Sequence, residues 1–461
     1  MSNKQTRRDF LKWSATGGAS IGLGAGTSGA HAEAAGHDDA ATWRVIPLAQ
    51  DFVKVYESPD PKTVYCYSPG LARCPNGRLI ATMDLGGPGM RKVPGVKRDA
   101  DGRPCCGRVY TSDDRGGTWN HRDDFPFLHA RPFVAGDSVY ILGHRGDLKV
   151  IRSDDGGETW SEPSTLTSGQ SWHQAPCNVW YANRCVYLVM ERRASKVIRN
   201  WPVGELAPVL LRGRIDADLT QRKNWTFASE LIFREIVSAD DIDYFGVPFY
   251  KVDPIKGASI APSRGCAPMG WLETNVVQIM DPNHYWYDPK GKTFHLFMRA
   301  HTGGTGYAAL AKAVEDDDSS MTTMLETVPS GKKALWVPMP GGQMKFHMLY
   351  DERTKLYWLL SSQATDSMTR AEKLPAHRYN LPNNERHRLQ LHFSTNCIDW
   401  CFAGLVAVGR SAKQGRHYAS MVIDGEDLHV ASRSGDERAK NAHDGNFISF
   451  HTITNFRRLV Y

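Results

Sequence analysis

The sequence predicts an all-β chain folded as a β-propeller, and three observations carry that prediction. Ser153-Asp154-Asp155-Gly156-Gly157-Glu158-Thr159-Trp160 and its near copy Ser112-Asp113-Asp114-Arg115-Gly116-Gly117-Thr118-Trp119 both fit S-x-D-x-G-x-T-W, 41 residues apart. A recurrence of that length matches one blade of a propeller. Short apolar runs follow turn residues along the whole chain, and few convincing amphipathic helices stand between them.

Each part of the repeated motif has a mechanical role. The Ser and Asp side chains can hydrogen-bond the backbone of their own turn. The Gly supplies a backbone angle that other residues resist, and the Trp folds back as an apolar lid. A degenerate third copy stands at Ser394-Thr395-Asn396-Cys397-Ile398-Asp399-Trp400.

From the N-terminus, Thr6-Arg7-Arg8-Asp9-Phe10-Leu11-Lys12 reads as a twin-arginine motif, followed by a small, Gly-rich run and an Ala30-His31-Ala32 cleavage site. Residues 1–32 are therefore expected to direct export of the folded protein to the periplasm or beyond, leaving 33–461 as a single propeller domain. The run is too short and glycine-rich for a membrane span.

The turn-then-strand units come next. They are Pro75-Asn76-Gly77 before Arg78–Met83, Ala135-Gly136-Asp137 before Ser138–Leu142, and Asp288–Lys292 before Thr293–Met298. Asp351–Lys355 before Leu356–Leu360 and Asp424–Asp427 before Leu428–Val430 complete the series. At about 55–60 residues a blade, the exported chain predicts seven four-stranded blades, with six as the alternative. Glu315–Asp318 reads as a solvated loop and Arg370 to Arg386 as a long surface connection or lid.

Formal net charge is +6, and residues 1–32 supply half of it. No Lys/Arg run appears, which gives no case for nucleic acid and leaves room for a local basic cleft facing an acidic ligand. The nine cysteines include no C-x-x-C pair, so a zinc ribbon is not expected. Cys177 and Cys185 flank a hairpin turn and could pair after export, while buried thiols are expected for most of the others.

The repeated motif resembles the Asp box of sialidase-like propellers, in which it staples a blade and does not touch substrate. The Arg-Ile-Pro signature of sialidases has no counterpart. Tyr67-Ser68-Pro69-Gly70-Leu71-Ala72 stands there, and a serine cannot replace a bidentate carboxylate clamp. More of the chain is similar to the propellers that degrade uronate polysaccharides, the ulvan lyases and the rhamnose–glucuronate lyases once described as rhamnosidases. The similar stretches are Gly146–Arg152, Trp172-His173-Gln174-Ala175-Pro176, Trp271–Val277, Pro340–Phe346 with Tyr350-Asp351, and His443–His451 with Asn455-Phe456-Arg457. This resemblance implies β-elimination by a histidine pair with a Tyr and an Arg. The chain departs from that set: Trp172 stands at the Tyr position and Leu188 at the Arg position. His129 matches one histidine, and the other has no clear match.

The candidate catalytic residues are His173, in a matched segment, then His129 and His144. Trp172 is a candidate sugar platform, and Arg131 and Arg299 are candidates for a substrate carboxylate. Glu273 and Asn275 alternate along a strand and are expected to face the same way, toward the channel. His284, His301, His347 and His443 are scattered through the chain and could converge on a divalent ion such as calcium or zinc, although no ligand spacing supports one. The cofactor thus stays open. The functional expectation is an exported enzyme degrading an acidic glycan by β-elimination. The alternatives are a glycoside hydrolase on the same scaffold and a glycan-binding propeller without catalysis.

Overall fold

The computed structural model describes residues 45–461 apart from 100, 200, 238–252, 254, 262–263, 368, 375–385 and 412. The expected export signal therefore lies outside the described residues, as does most of the 370–386 connection.

Six antiparallel blades built on four strands each follow one another along the chain, with Trp180–Ala182 and Trp336–Pro338 added as fifth strands to blades 3 and 4. Their inner strands are Tyr65–Arg73, Leu128–Ala135, Trp172–His173, Gly270–Val277, His347–Asp351 and Arg416–Asp424. The ring is closed by the N-terminal strand Val53–Glu57, which pairs with Phe447–Ile453 as the outer strand of blade 6. Seven blades were the first expectation and six are found. The count fails because blades are not of one length: blade 2 runs from Leu128 to Thr165, whereas Trp172 and Gly270 open blades 3 and 4. Apolar side chains fill the space between neighbouring blades, such as Val186, Leu188 and Met190 of blade 3 against Phe133, Leu142 and Val150 of blade 2.

The five predicted turn-then-strand units all form second strands, Leu79–Gly86, Ser138–Arg145, Thr293–His301, Leu356–Ser362 and Asp427–Ser434. In blade 3 the same position is taken by Cys185–Arg193, entered through Asn183 and Arg184 at φ 51° and 56°, the left-handed pair of a two-residue hairpin. Cys177 and Cys185 do not pair; both are buried free thiols.

The three motif copies sit in one place, the turn between the third and outer strands of blades 1, 2 and 5. In blade 2, Ser153 Oγ donates to Asp155 at 2.7 Å and accepts from Gly157 N–H at 2.7 Å. Asp155 also accepts the N–H and hydroxyl of Thr159. Blade 1 repeats this with Ser112, Asp114, Gly116 and Thr118. These donors hold both aspartates down to about 2. Gly116 and Gly157 have φ 90° and 91°, the angle for which the motif keeps a glycine. In the third copy, one residue shorter, Cys397 takes that place at φ 62° and donates its N–H to Ser394 Oγ.

Candidate functional site at the end of the axis

Four inner strands carry the same irregularity. Ladder pairing slips between Tyr67 and Gly70, Leu128 and Arg131, Leu272 and Asn275, and His417 and Ser420. At each slip a non-glycine residue is left-handed: Ser68 at φ 47°, His129 at 54°, Glu273 at 59° and Tyr418 at 53°. Each costs about 1–2 kcal/mol in backbone strain, and bulges of this kind re-aim side chains at functional sites. Two clusters of polar side chains gather around them.

The first joins blades 2 and 3. His129 Nδ1 lies 3.0 Å from His144 Nε2, and the His173 ring is 5.5 Å from His129 and 6.1 Å from His144. All three histidines proposed from sequence therefore meet. His173 Nδ1 is 3.4 Å from Glu191 Oε2, and that carboxylate is anchored by the N–H and hydroxyl of Thr274. Burial, then the neighbouring histidines, holds His129 well below the usual imidazole range. His144 is pushed down to about 3, chiefly by burial. Asp84 of blade 1 accepts the His129 N–H with both oxygens, and burial raises its carboxyl to about 8, a neutral acid at pH 7.

The second cluster joins blades 4, 5 and 6. Tyr418 Oη donates to Glu273 Oε1 at 2.5 Å, and Arg299 donates to Tyr418 Oη at 2.8 Å and to Glu273 Oε2 at 3.3 Å. Burial pushes the Tyr418 phenol up to about 12, Glu273 adds to the rise, and Arg299 and Arg386 oppose it. The guanidinium carbons of Arg386 and Arg433 lie 5.4 and 5.3 Å from the Tyr418 ring centre. Arg433 also covers Tyr67 at 4.1 Å, and its charge lowers both His129 and Asp84. One guanidinium thus couples the two clusters into a single site, with three arginines around one phenol–carboxylate pair.

Several placements differ from expectation. Trp172 is only 5% exposed and packs in the blade 2–3 core with its edge on Phe227, so its face cannot receive a sugar. Trp201, 37% exposed and 5.7 Å from the His173 ring, offers the aromatic surface instead. Leu188 is core, so no arginine stands there. Glu273 and Asn275 do not face the same way, because the bulge between Leu272 and Asn275 breaks the alternation. Asn275 is fully buried and ties blades together: its Nδ2 donates to Phe346 O, and its Oδ1 accepts from Met348 N–H and Asn178 N–H. Arg299 reaches Tyr418, whereas Arg131 lines a separate axial cavity beside Cys177 and His347.

The four scattered histidines do not converge. His284 accepts Trp286 N–H, His301 Nδ1 meets Pro268 O, His347 lines the axial cavity, and His443 meets Asp444. Among the described residues no three His, Cys, Asp or Glu side chains are grouped to hold a metal ion. Sequence reasoning missed Asp84, Glu191, Trp201, Arg386, Tyr418 and Arg433. Of these only Tyr418 is left-handed, at the bulge of its inner strand, and no residue type signals that.

No protein-family model matches the sequence, and no curated protein matches it. Among solved structures, the chain is similar to a Penicillium chrysogenum α-L-arabinanase complexed with arabinobiose, at 13% identity and TM-score 0.47 over 89% of this chain and 99% of that one. It is similar to a Hadza microbial sialidase at 13% identity and TM-score 0.48, over 85% and 66%. The Trypanosoma rangeli sialidase in complex with sialic acid gives 11% identity and TM-score 0.49, over 90% of this chain and 60% of that one. The likeness is one of fold and assigns no residue a role.

Proposed function

We propose that the protein is a glycan-processing enzyme that cleaves an anionic sugar at the axial site by hydrolysis, with Tyr418 as nucleophile. The observation that carries this reading is the 2.5 Å bond from Tyr418 Oη to Glu273 within a ring of Arg299, Arg386 and Arg433. A phenol with a raised pKa is a poor nucleophile until a base takes its proton, and Glu273 stands where that base must be. A neutral nucleophile also suits a substrate carboxylate better than an anionic one, since like charges repel. In this scheme the arginines receive the carboxylate. Tyr418 Oη attacks the anomeric carbon, its proton passes to Glu273, and the glycosidic C–O bond breaks. Asp84, kept protonated by burial, gives its proton to the leaving oxygen. Water then attacks the anomeric carbon and releases the sugar, Asp84 taking a proton from that water while Glu273 returns its proton to Tyr418.

A second reading is β-elimination, favoured by one specific observation. His129, His144 and His173 meet beside an exposed indole, and burial keeps the first two unprotonated at neutral pH. Unprotonated imidazoles can take the proton beside a uronate carboxylate, and the resemblance to uronate lyases supports this use. Export rests on Thr6–Lys12 and Ala30-His31-Ala32 and belongs to the proposal.

The test is a panel of uronate and other carboxylated glycans assayed for new reducing ends and for the ultraviolet absorbance of an unsaturated uronate. Hydrolysis predicts reducing ends without absorbance, lost in Tyr418→Phe. Absorbance that survives Tyr418→Phe and disappears in His173→Ala selects elimination. Neither product across the panel refutes both.

A further inference from the structure

The inner strands line a second polar feature, apart from the proposed catalytic site and open at a rim that includes the exposed Tyr181. Arg131, two residues after the bulged His129, lines an axial cavity of about 220 Å³. The cavity walls are largely apolar, with Leu71, Phe133, Val179, Leu349 and Met421 among them. Arg131 is 1% exposed, yet its Nε, Nη1 and Nη2 have no hydrogen-bond partner among the described residues. His347, buried in the same wall, has an unpartnered Nδ1.

The surroundings add positive charge. Lys345 Nζ is buried nearby and donates to Ala419 O and to Ser420 Oγ, both uncharged. The carboxylates whose fields reach these cations are committed elsewhere, Glu191 to Thr274 and His173, and Glu273 to Tyr418 and Arg299. Lysine and histidine can shed a proton when buried, and burial does lower both Lys345, to about 8, and His347. A guanidinium cannot. Its isolated burial in apolar surroundings is strongly unfavourable unless an opposite charge and hydrogen-bond acceptors meet it.

We propose that this axial cavity is an anion-binding site in which Arg131, with His347 beside it, takes one small monovalent anion of the halide class. Size and wall chemistry select the ligand. The cavity exceeds a single ion in volume, but its apolar lining offers little to replace the hydration of sulfate or phosphate, whereas chloride surrenders its water more readily. Arg73 also lines the cavity but is paired with Asp424 at 2.6 Å, which leaves the guanidinium of Arg131 as the charge that calls for one negative charge. The bound ion stabilises the strand Leu128–Ala135, which carries His129 at its bulge, so it supports the proposed catalytic site without touching substrate.

The experiment is thermal unfolding at constant ionic strength, with sodium gluconate replaced stepwise by chloride or bromide. Wild type is expected to gain Tm saturably with either halide, as for any ligand that binds only the folded state. Arg131→Met is expected to fold without the buried charge and to show no halide dependence. A halide response that is equal in Arg131→Met, or is missing in wild type, overturns the proposal. Should the variant fail to fold, crystals of the wild-type protein grown in bromide decide the matter. An anomalous bromine peak in contact with the Arg131 guanidinium supports the site, and a cavity that holds only water there overturns it.

Discussion

Asn275 separates the structural account from the sequence expectation most cleanly, because the strand pattern marks it for substrate and the structure makes it a tie between blades. Asn275→Ala removes three bonds at a fully buried position: Nδ2 to Phe346 O at 3.1 Å, Met348 N–H to Oδ1 at 3.0 Å, and Asn178 N–H to Oδ1 at 3.4 Å. Methyl replacement leaves a buried carbonyl and two buried N–H groups without those partners. At about 1–3 kcal/mol for each unsatisfied buried group, and with the 3.4 Å bond discounted for length, the expected loss is about 3–5 kcal/mol. Asn178 returns bonds of its own to Val276 N–H and O, so blade 3 stays attached to blade 4 and the fold survives. The assay is urea unfolding followed by tryptophan fluorescence, with the change read from the midpoint at constant m-value. Activity per folded molecule should be little changed. A stability loss under about 1 kcal/mol together with abolished turnover would contradict a tie between blades and return Asn275 to the substrate.

Two further predictions follow from burial and charge. The Asp84 carboxyl titrates at about 8 in the fold against 3.8 as its ordinary value. Between those limits the folded chain holds a proton that the unfolded chain has lost. Stability should therefore fall as pH rises, by about 1.4 kcal/mol per unit, with the loss complete above pH 8. Asp84→Asn should flatten that slope in pH-dependent unfolding, and an unchanged slope would contradict a neutral buried acid. The two tryptophans should part company. Trp172→Ala opens a cavity in the blade 2–3 core and is expected to cost about 3–5 kcal/mol. Trp201→Ala should leave unfolding nearly unchanged and raise KM for the glycan, and the reverse pattern would restore Trp172 as the sugar platform.

What was legible in the sequence was local. The motif copies carry their own hydrogen bonds within a few residues, and the turn-then-strand units need only their flanking chain. Both therefore appear where they were read, with the third copy surviving the change to Asn396 and Cys397. His129, His144 and His173 were each singled out in the sequence, but their meeting was not: His144 opposes Leu128, next to His129, across one hairpin, and His173 comes from the next blade. The blade count was not, since insertions of different length break the period. The Glu273–Asn275 alternation was lost to a bulge, which leaves no mark in residue type. Tyr418 meets Glu273 only when the ring closes, across 145 residues, and Arg386 and Arg433 come to the Tyr418 ring. The three arginines come from places other than the sialidase signature position, where Ser68 occupies the blade 1 bulge. Residues that distant cannot be paired by spacing.

The most direct test of the central claim is to trap the reaction. Wild-type protein would be incubated with a panel of activated fluoro-sugars that carry a carboxylate, then digested, and the labelled peptide identified by mass spectrometry. The account predicts one sugar adduct on Tyr418, which does not form in Tyr418→Phe and forms more slowly in Glu273→Gln. An adduct on another residue would contradict it. So would cleavage of a carboxylated glycan by wild type that yields only an unsaturated uronate.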